Sequence, residues 1–341
     1  MQNIKTIGVI GAGTMGSSIA QHFIMKGLRV ILVDAKDEFL EKGRKAIQNS
    51  LNEAVERKLL KKEDQDKISN SVSYTTKKET LSACEFIVEA IYEDLQIKKS
   101  LFKELETIVT PHCVLATNTS SFLISDIVSE LKNRKQVLGV HYFYPAAKNK
   151  LVEIISTFHT QDGLGKEVLD FYTKIDKTPI LVQDSPGFAI NRFFVPWLNE
   201  ACRLYEEGYG SVSFIDDIAK TIFGISMGPF ALMNATGVPI ALHAASGLAN
   251  KLGSFYQPAL ILKEQVSLNK PWDLKSANIL KGGKNNPEIV EKRLFSVCFR
   301  IASQLVSEGV TDEISVDLGA RVGLRWPKGP FALMNEKPEY K

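Results

Sequence analysis

Thr6-Ile7-Gly8-Val9-Ile10-Gly11-Ala12-Gly13-Thr14-Met15-Gly16 is the stretch on which the reading of this sequence turns. Thr6–Ile10 reads as a buried strand, and a G-x-G-x-x-G follows it directly. Met15–Lys26 reads as a helix that Gly27 ends. Val30–Val33 is a second strand, closed by Asp34 eighteen residues after Gly16 (34 − 16 = 18). Strand, glycine turn, helix, strand, acid: in that order the motif binds a dinucleotide. Gly11 permits the tight turn, Gly13 lets the backbone approach a pyrophosphate, and Gly16 lets helix and strand pack closely. The helix start, with Thr14 and Met15, offers N–H groups to phosphates. Asp34 can accept from ribose hydroxyls and would repel a 2′-phosphate, so the expected cofactor is NAD rather than NADP.

The alternation of short apolar runs and amphipathic stretches continues over about the first 180 residues. Further strands are expected at Phe86–Val88, Val114–Ala116, Val137–Val140, Leu151–Ile155 and Ile180–Val182. Helices are expected at Leu95–Ile108 and Leu164–Ile175, and the charged stretch Glu38–Lys67 has helical spacing. This is the signature of βα units around a parallel sheet. Asp184-Ser185-Pro186-Gly187 then punctuates the chain, and long helical periodicities follow. The expected fold is an α/β Rossmann domain over 1–183, followed by an all-α part containing an internal repeat. The repeat is carried by MGPFALMN ending at Asn234 and KGPFALMN ending at Asn335, an offset of 335 − 234 = 101. In that register Arg192 meets Arg293, Phe194 meets Phe295, Glu207-Gly208 meets Glu308-Gly309, and Asp216 meets Asp317. We therefore expect a first helical copy over 184–281 and a truncated second copy over 282–341.

Composition narrows the function classes. A chain of 341 residues suggests two or three domains at roughly 100–200 residues each. Hydrophobic residues at 44% and charged residues at 24% fit a globular protein. The net charge of +3, from 42 basic and 39 acidic residues, argues against a nucleic-acid binder, whose affinity rests on a concentrated basic face. No apolar run reaches the ~18 residues of a membrane span. Cys84, Cys113, Cys202 and Cys298 have no paired spacing, so neither a metal site nor a disulfide framework is expected. The start runs directly into a strand pattern with no visible signal peptide, and a cytoplasmic location is expected.

Polar residues gather after the predicted strands: Glu89 to Asp94, Asn118 to Ser121, and His141. Carboxyl ends of parallel strands border the crevice where such sheets bind ligands. His141 has a reference pKa near neutrality and is the natural proton carrier. Glu153 lies in an apolar strand just after it, where a carboxylate needs a partner. An imidazole held by a carboxylate is a base with its orienter. Read from the residues alone, His141 is either that base or a satisfied structural histidine.

At these residues the sequence resembles the 3-hydroxyacyl-CoA dehydrogenase family. GAGTMG, EAIYEDLQIK, ATNTSS, HYFYP with KLVE, and SPGFAINR stand in family order across residues 4 to 265. The resemblance implies oxidation of an (S)-3-hydroxyacyl-CoA by NAD, with an acyl-CoA thioester as the partner. It implies His141 as the catalytic base and Glu153 as its pair. Ser120 and Asn191 match residues that contact the reacting oxygen. Asp34, Glu93, Lys98 and Ser120 match positions near the cofactor. Ser50 and Arg57 match a serine and a lysine that contact coenzyme A in some members. Two departures stand out. Tyr144 occupies the place of an asparagine that frames the nicotinamide, and the usual closing segment gives way to the second helical copy. Tyr144 keeps a hydroxy-acid or sugar-acid dehydrogenase open as an alternative; a catalytically idle NAD-binding protein is another. The duplicated helical part suggests either a monomer with an internal pseudo-dimer or a homodimer.

Overall fold

The apolar runs of the first half become one eight-stranded sheet. In the computed structural model, which describes residues 4–341, the first compact unit ends at Asp184 and the second runs from Ser185 to Lys341. The first unit comprises β1 (Thr6–Ile10), α1 (Thr14–Met25), β2 (Arg29–Val33), α2 (Asp37–Glu56), α3 (Lys62–Ser69) and β3 (Val72–Thr75). It continues through β4 (Phe86–Glu89), α4 (Leu95–Ile108), β5 (Val114–Thr117), α5 (Ile124–Ile127), β6 (Val137–Tyr142), β7 (Leu151–Ser156), α6 (Leu164–Lys174) and β8 (Thr178–Gln183). The strand order is β3-β2-β1-β4-β5-β6-β7-β8. β1 lies between β2 and β4, parallel to both, so the order reverses there. That reversal opens a crevice at the carboxyl ends of β1 and β4. Ile7, Val9, Phe86 and Val88 of the central strands pack with Phe23, Phe171 and Tyr172 of α1 and α6 in the core.

Three details differ from the sequence reading. The sheet is not wholly parallel, because β7 runs antiparallel to β6. Residues 143–150 are too few for a crossover, which takes a dozen or more, so the strands must form a hairpin. The charged stretch Glu38–Lys67 is two helices. Lys58 adopts a left-handed φ of 59°, and the Leu59 N–H returns to the Ala54 carbonyl at 2.8 Å, closing α2 without the usual glycine. Edge strand β3 was not expected, since only Val72 of its four residues is buried.

The second unit is helical: α7 (Ile190–Glu206), α8 (Val212–Phe223), α9 (Pro229–Thr236), α10 (Val238–Leu252), α11 (Leu260–Ser267), α12 (Pro287–Ser307), α13 (Glu313–Gly323) and α14 (Pro330–Glu336). Trp326 packs on Trp197 and Phe223 with ring centres 5.3 and 4.8 Å apart, and Phe223 meets Phe295 at 4.9 Å. Asp216 accepts from the N–H groups of Phe230 and Ala231 at the start of α9. Asp317 accepts from those of Phe331 and Ala332 at the start of α14. Arg192 pairs with Glu308, while Arg293 pairs with Glu207.

Candidate active site

Local chemistry at the end of β1 sets the crevice floor. Gly11 has a φ of +102°, and a Cβ there would lie 2.5 Å from the Ala90 carbonyl oxygen. At Gly16 a Cβ would lie 1.8 Å from the Gly11 oxygen, so α1 crosses β1 at a distance only glycine allows. Gly13 differs: a Cβ there meets nothing within 4 Å. Its lack of a side chain relieves no contact within the protein and leaves open space before α1. No side chain caps Gly13, and the first turn of α1 holds no acidic residue. Those N–H groups are therefore available to an anion. Asp34 stands beside them, its Oδ2 accepting from the Ala12 N–H at 2.6 Å. The set fits a dinucleotide: a bare backbone cradle for phosphates and a half-buried carboxylate for ribose.

At the ends of β4 and β5 lies a buried polar network. Lys98 and Glu89 are an ion pair of 2.5 Å, with side chains 1% and 0% exposed. Glu89 also accepts from Thr117 Oγ1 at 2.6 Å and from the Ile91 N–H at 2.8 Å. Lys98 reaches Glu93 as well, at 3.1 Å. Glu93 in turn accepts from Thr119 Oγ1 and from the N–H groups of Ser120 and Ser121. Burial opposes ionisation of Glu93, but Lys98 and the hydrogen bonds from Thr119 and Ser120 outweigh it and hold its pKa below the ordinary carboxylate value. Ser120 itself is exposed at the crevice end of β5.

His141 and Glu153 face each other across the β6–β7 hairpin as direct register partners. Nδ1 of His141 lies 2.6 Å from Glu153 Oε2. The glutamate is fully buried and the histidine 5% exposed. A carboxylate can only accept, so Nδ1 carries the proton and Nε2 the lone pair of the neutral ring. Asn118 Oδ1 accepts from the Tyr142 N–H at 2.9 Å, which ties the end of β5 to the strand carrying His141. Tyr144 follows β6 with 69% of its surface exposed.

The other predicted residues fall in two places. Ser50 lies in the last two turns of α2, and Arg57 follows Glu56 at the cap position that closes the helix. Arg57 pairs with Glu53 at 2.5 Å, and Lys148 from the β6–β7 loop reaches that carboxylate at 3.4 Å. Asn191 lies half-buried in the first turn of α7, in the second unit. Nothing in the sequence around Lys177 signals its role. Its ammonium donates to the carbonyls of Ala146 and Asn149 at 2.5 and 2.7 Å and so holds the loop that follows Tyr144. Burial pushes its pKa down to about 8.

Residues 6–185 match the 3-hydroxyacyl-CoA dehydrogenase NAD-binding domain, and residues 187–280 match the C-terminal domain of the same enzymes. The chain belongs to the 3-hydroxyacyl-CoA dehydrogenase family. A probable 3-hydroxybutyryl-CoA dehydrogenase of Deinococcus radiodurans is 36% identical over 260 residues, which is 76% of this chain and 93% of that protein. The human mitochondrial hydroxyacyl-coenzyme A dehydrogenase is 34% identical over 275 residues, covering 78% of this chain and 88% of that protein. The fold matches the crystal structure of an Escherichia coli 3-hydroxybutyryl-CoA dehydrogenase with a TM-score of 0.92. That match covers 98% of this chain and 92% of the other at 23% identity. As a 3-hydroxyacyl-CoA dehydrogenase family member the chain is an NAD-dependent oxidoreductase, and its first unit is the NAD-binding domain. No helix among the described residues is long and apolar enough to cross a membrane.

Proposed function

We propose that this protein interconverts an (S)-3-hydroxyacyl-CoA and the corresponding 3-oxoacyl-CoA, with His141 as the general base and acid. The buried 2.6 Å bond between His141 Nδ1 and Glu153 carries this reading. NAD, when bound, supplies the acceptor for the hydride from C3. In oxidation, His141 Nε2 takes the proton of the 3-hydroxyl. Glu153 keeps the ring in the tautomer that can do so and stabilises the imidazolium that results. Ser120 and Asn191 hold the oxygen as it becomes a carbonyl. Gly11, Gly13, Thr14, Met15 and Gly16 would hold the pyrophosphate and Asp34 the adenosine ribose, with Glu93, Lys98 and Ser120 near the cofactor. Ser50 and Arg57 would meet the coenzyme A moiety; arginine for lysine keeps the charge but presents a fork in place of a point. The test is NADH oxidation with acetoacetyl-CoA against free oxo acids, and NAD reduction with the corresponding free hydroxy acids. Turnover of acetoacetyl-CoA supports the reading. Turnover of the free acids alone overturns it.

Tyr144 favours attention to a second reading, a dehydrogenase for an acid without coenzyme A. Its exposed ring at the end of β6 can narrow the pocket where a smaller amide is usual. We expect Tyr144→Asn to change KM or acyl preference without lowering thermal stability. A variant with unchanged kinetics on every acyl-CoA tried would place Tyr144 outside the pocket.

We further infer that residues 184–281 and 282–341 are two copies of one helical unit and that the second copy is structural. Arg192 with Glu308 and Arg293 with Glu207 support this, since 192 + 101 = 293 and 207 + 101 = 308. Such reciprocity, where one residue's partner and its copy's partner exchange places, is what a two-fold interface produces. The bonds of Asp216 and Asp317 repeat at the same spacing. Where the first copy has Asn191, the second has Lys292, so each chain carries one active site. The second copy then covers a helical face that would otherwise seek a partner chain, and the protein need not dimerise.

A further inference from the structure

The segment carrying Ser120 is held at both ends by carboxylates. At its near end Glu93 accepts from Thr119 Oγ1 and from the Ser120 and Ser121 N–H groups. At its far end Asp184 receives two successive N–H groups, Ile124 on Oδ1 and Ser125 on Oδ2, each at 2.8 Å. These open α5, whose cap position is Leu123, a residue with no side-chain oxygen to receive them. Asp184 is 60 residues along the chain from Ile124. Its own N–H bonds to the Ser156 carbonyl at 2.9 Å, so the anchor is fastened to the end of the β7–β8 ladder. Asp184 is also the last residue of the first unit. The stretch from Thr119 to Ser125 is thus tied at both ends, and Ser120 lies in the end that Glu93 holds.

We propose that Asp184 is a positioning residue for the reaction: it fixes the far end of the Ser120 segment and so sets where the Ser120 hydroxyl stands. The inference rests on the reading of Ser120 as a residue that contacts the reacting oxygen. Misplacing such a group by about 1 Å can cost on the order of a hundredfold in rate. Asp184→Asn keeps the shape but leaves only one acceptor for two donors. The protein carries its own control, because Asp317 makes the same two-donor bond at the start of α14 in the second unit.

The experiment measures kcat and KM for acetoacetyl-CoA, the Kd for NADH by fluorescence, and Tm, in Asp184→Asn, Asp317→Asn, Ser120→Ala and the Ser120→Ala/Asp184→Asn double variant. We expect Asp184→Asn to lower kcat about tenfold or more, with the NADH Kd within about twofold of wild type. Asp317→Asn should lower Tm comparably and leave kcat within about twofold. In the double variant kcat should fall no further than in Ser120→Ala alone, because Asp184 acts through Ser120. Should Asp184→Asn fail to fold, Asp184→Glu, with both acceptors on a longer arm, enters the same comparison. Equal kcat in Asp184→Asn and wild type overturns the proposal, as does a fully additive double variant. Unchanged kcat in Ser120→Ala overturns the reading of Ser120 itself, a result visible without reference to Asp184.

Discussion

A histidine acquires a function from what its two nitrogens face. His141 gives its Nδ1–H to a buried carboxylate, which leaves Nε2 as the basic atom. We expect His141→Ala to lose about 10²–10⁴-fold in kcat, the span that general acid–base assistance covers. NADH should still bind, since none of the dinucleotide cradle at β1 and α1 depends on the imidazole. Near-normal turnover would remove His141 from the mechanism. His22 shows the opposite environment. It lies buried in α1, its Nε2 has no hydrogen-bond partner, and burial with nearby Lys177 pushes its pKa down to about 3. An unfolded histidine titrates near 6.5. Between those values the unfolded chain holds a proton that the folded chain refuses, so stability falls as pH drops from about 6.5 towards 3. The slope is at most about 1.4 kcal/mol per pH unit from this group. His22→Leu should flatten the fall in Tm between pH 6.5 and pH 4; an unchanged profile would assign the acid sensitivity elsewhere.

Among the elements, the glycine turn separates folding from binding. Gly16 has the Gly11 oxygen where a Cβ would go, whereas Gly13 has open space. Gly16→Ala should therefore lower Tm sharply, with any loss of cofactor affinity secondary. Gly13→Ala should fold normally and weaken NADH binding, because its methyl group fills only the space before α1. Circular dichroism melts and NADH titrations check both; equal loss of Tm in the two variants would remove the distinction. This turn was legible in the sequence because its strand, glycines, helix and acid are consecutive. So was the alternation of the first half and its change at Asp184–Gly187. A carboxylate in the apolar strand Leu151–Ile155 signalled that Glu153 needed a partner, but register is what sets it opposite His141. The hairpin's antiparallel direction followed from a loop length that was there to be counted. Other features leave no local trace. The closing of α2 at Lys58 uses a residue with no turn preference, and β3, Val72-Ser73-Tyr74-Thr75, is too short for its alternation to stand out. The bonds of Asp184, and of Lys177 to the loop after Tyr144, join residues tens of positions apart through side-chain-to-backbone contacts, which periodicity does not report.

For the molecule as a whole, the question is what residues 282–341 do for a chain whose family match ends at residue 280. Within the second unit, Trp326 is 3% exposed and lies against Trp197 and Phe223, while Phe295 lies against Phe223 from another side. Removing residues 282–341 takes away Trp326 and Phe295 and so breaks all three aromatic contacts together. It also strips Glu308 from Arg192, whose side chain is 3% exposed. Truncating a single buried aromatic costs about 3–5 kcal/mol, and a whole domain has only about 5–15 kcal/mol to lose. We therefore expect a chain ending at Lys281 to be unstable as a monomer. It should cover the face with another copy of itself, or aggregate. Light scattering after size exclusion should show the shortened chain as a dimer or larger species. Where a dimer forms, and if the proposed repeat holds, each Arg192 would regain an acceptor from Glu207 of the other copy, as it has Glu308 in the intact chain. Glu207→Gln in the truncated background should then weaken the dimer, whereas in the intact chain it should lower Tm without changing mass. A truncated protein that is monomeric, soluble and as stable as the full chain would show that residues 282–341 are not what covers this face.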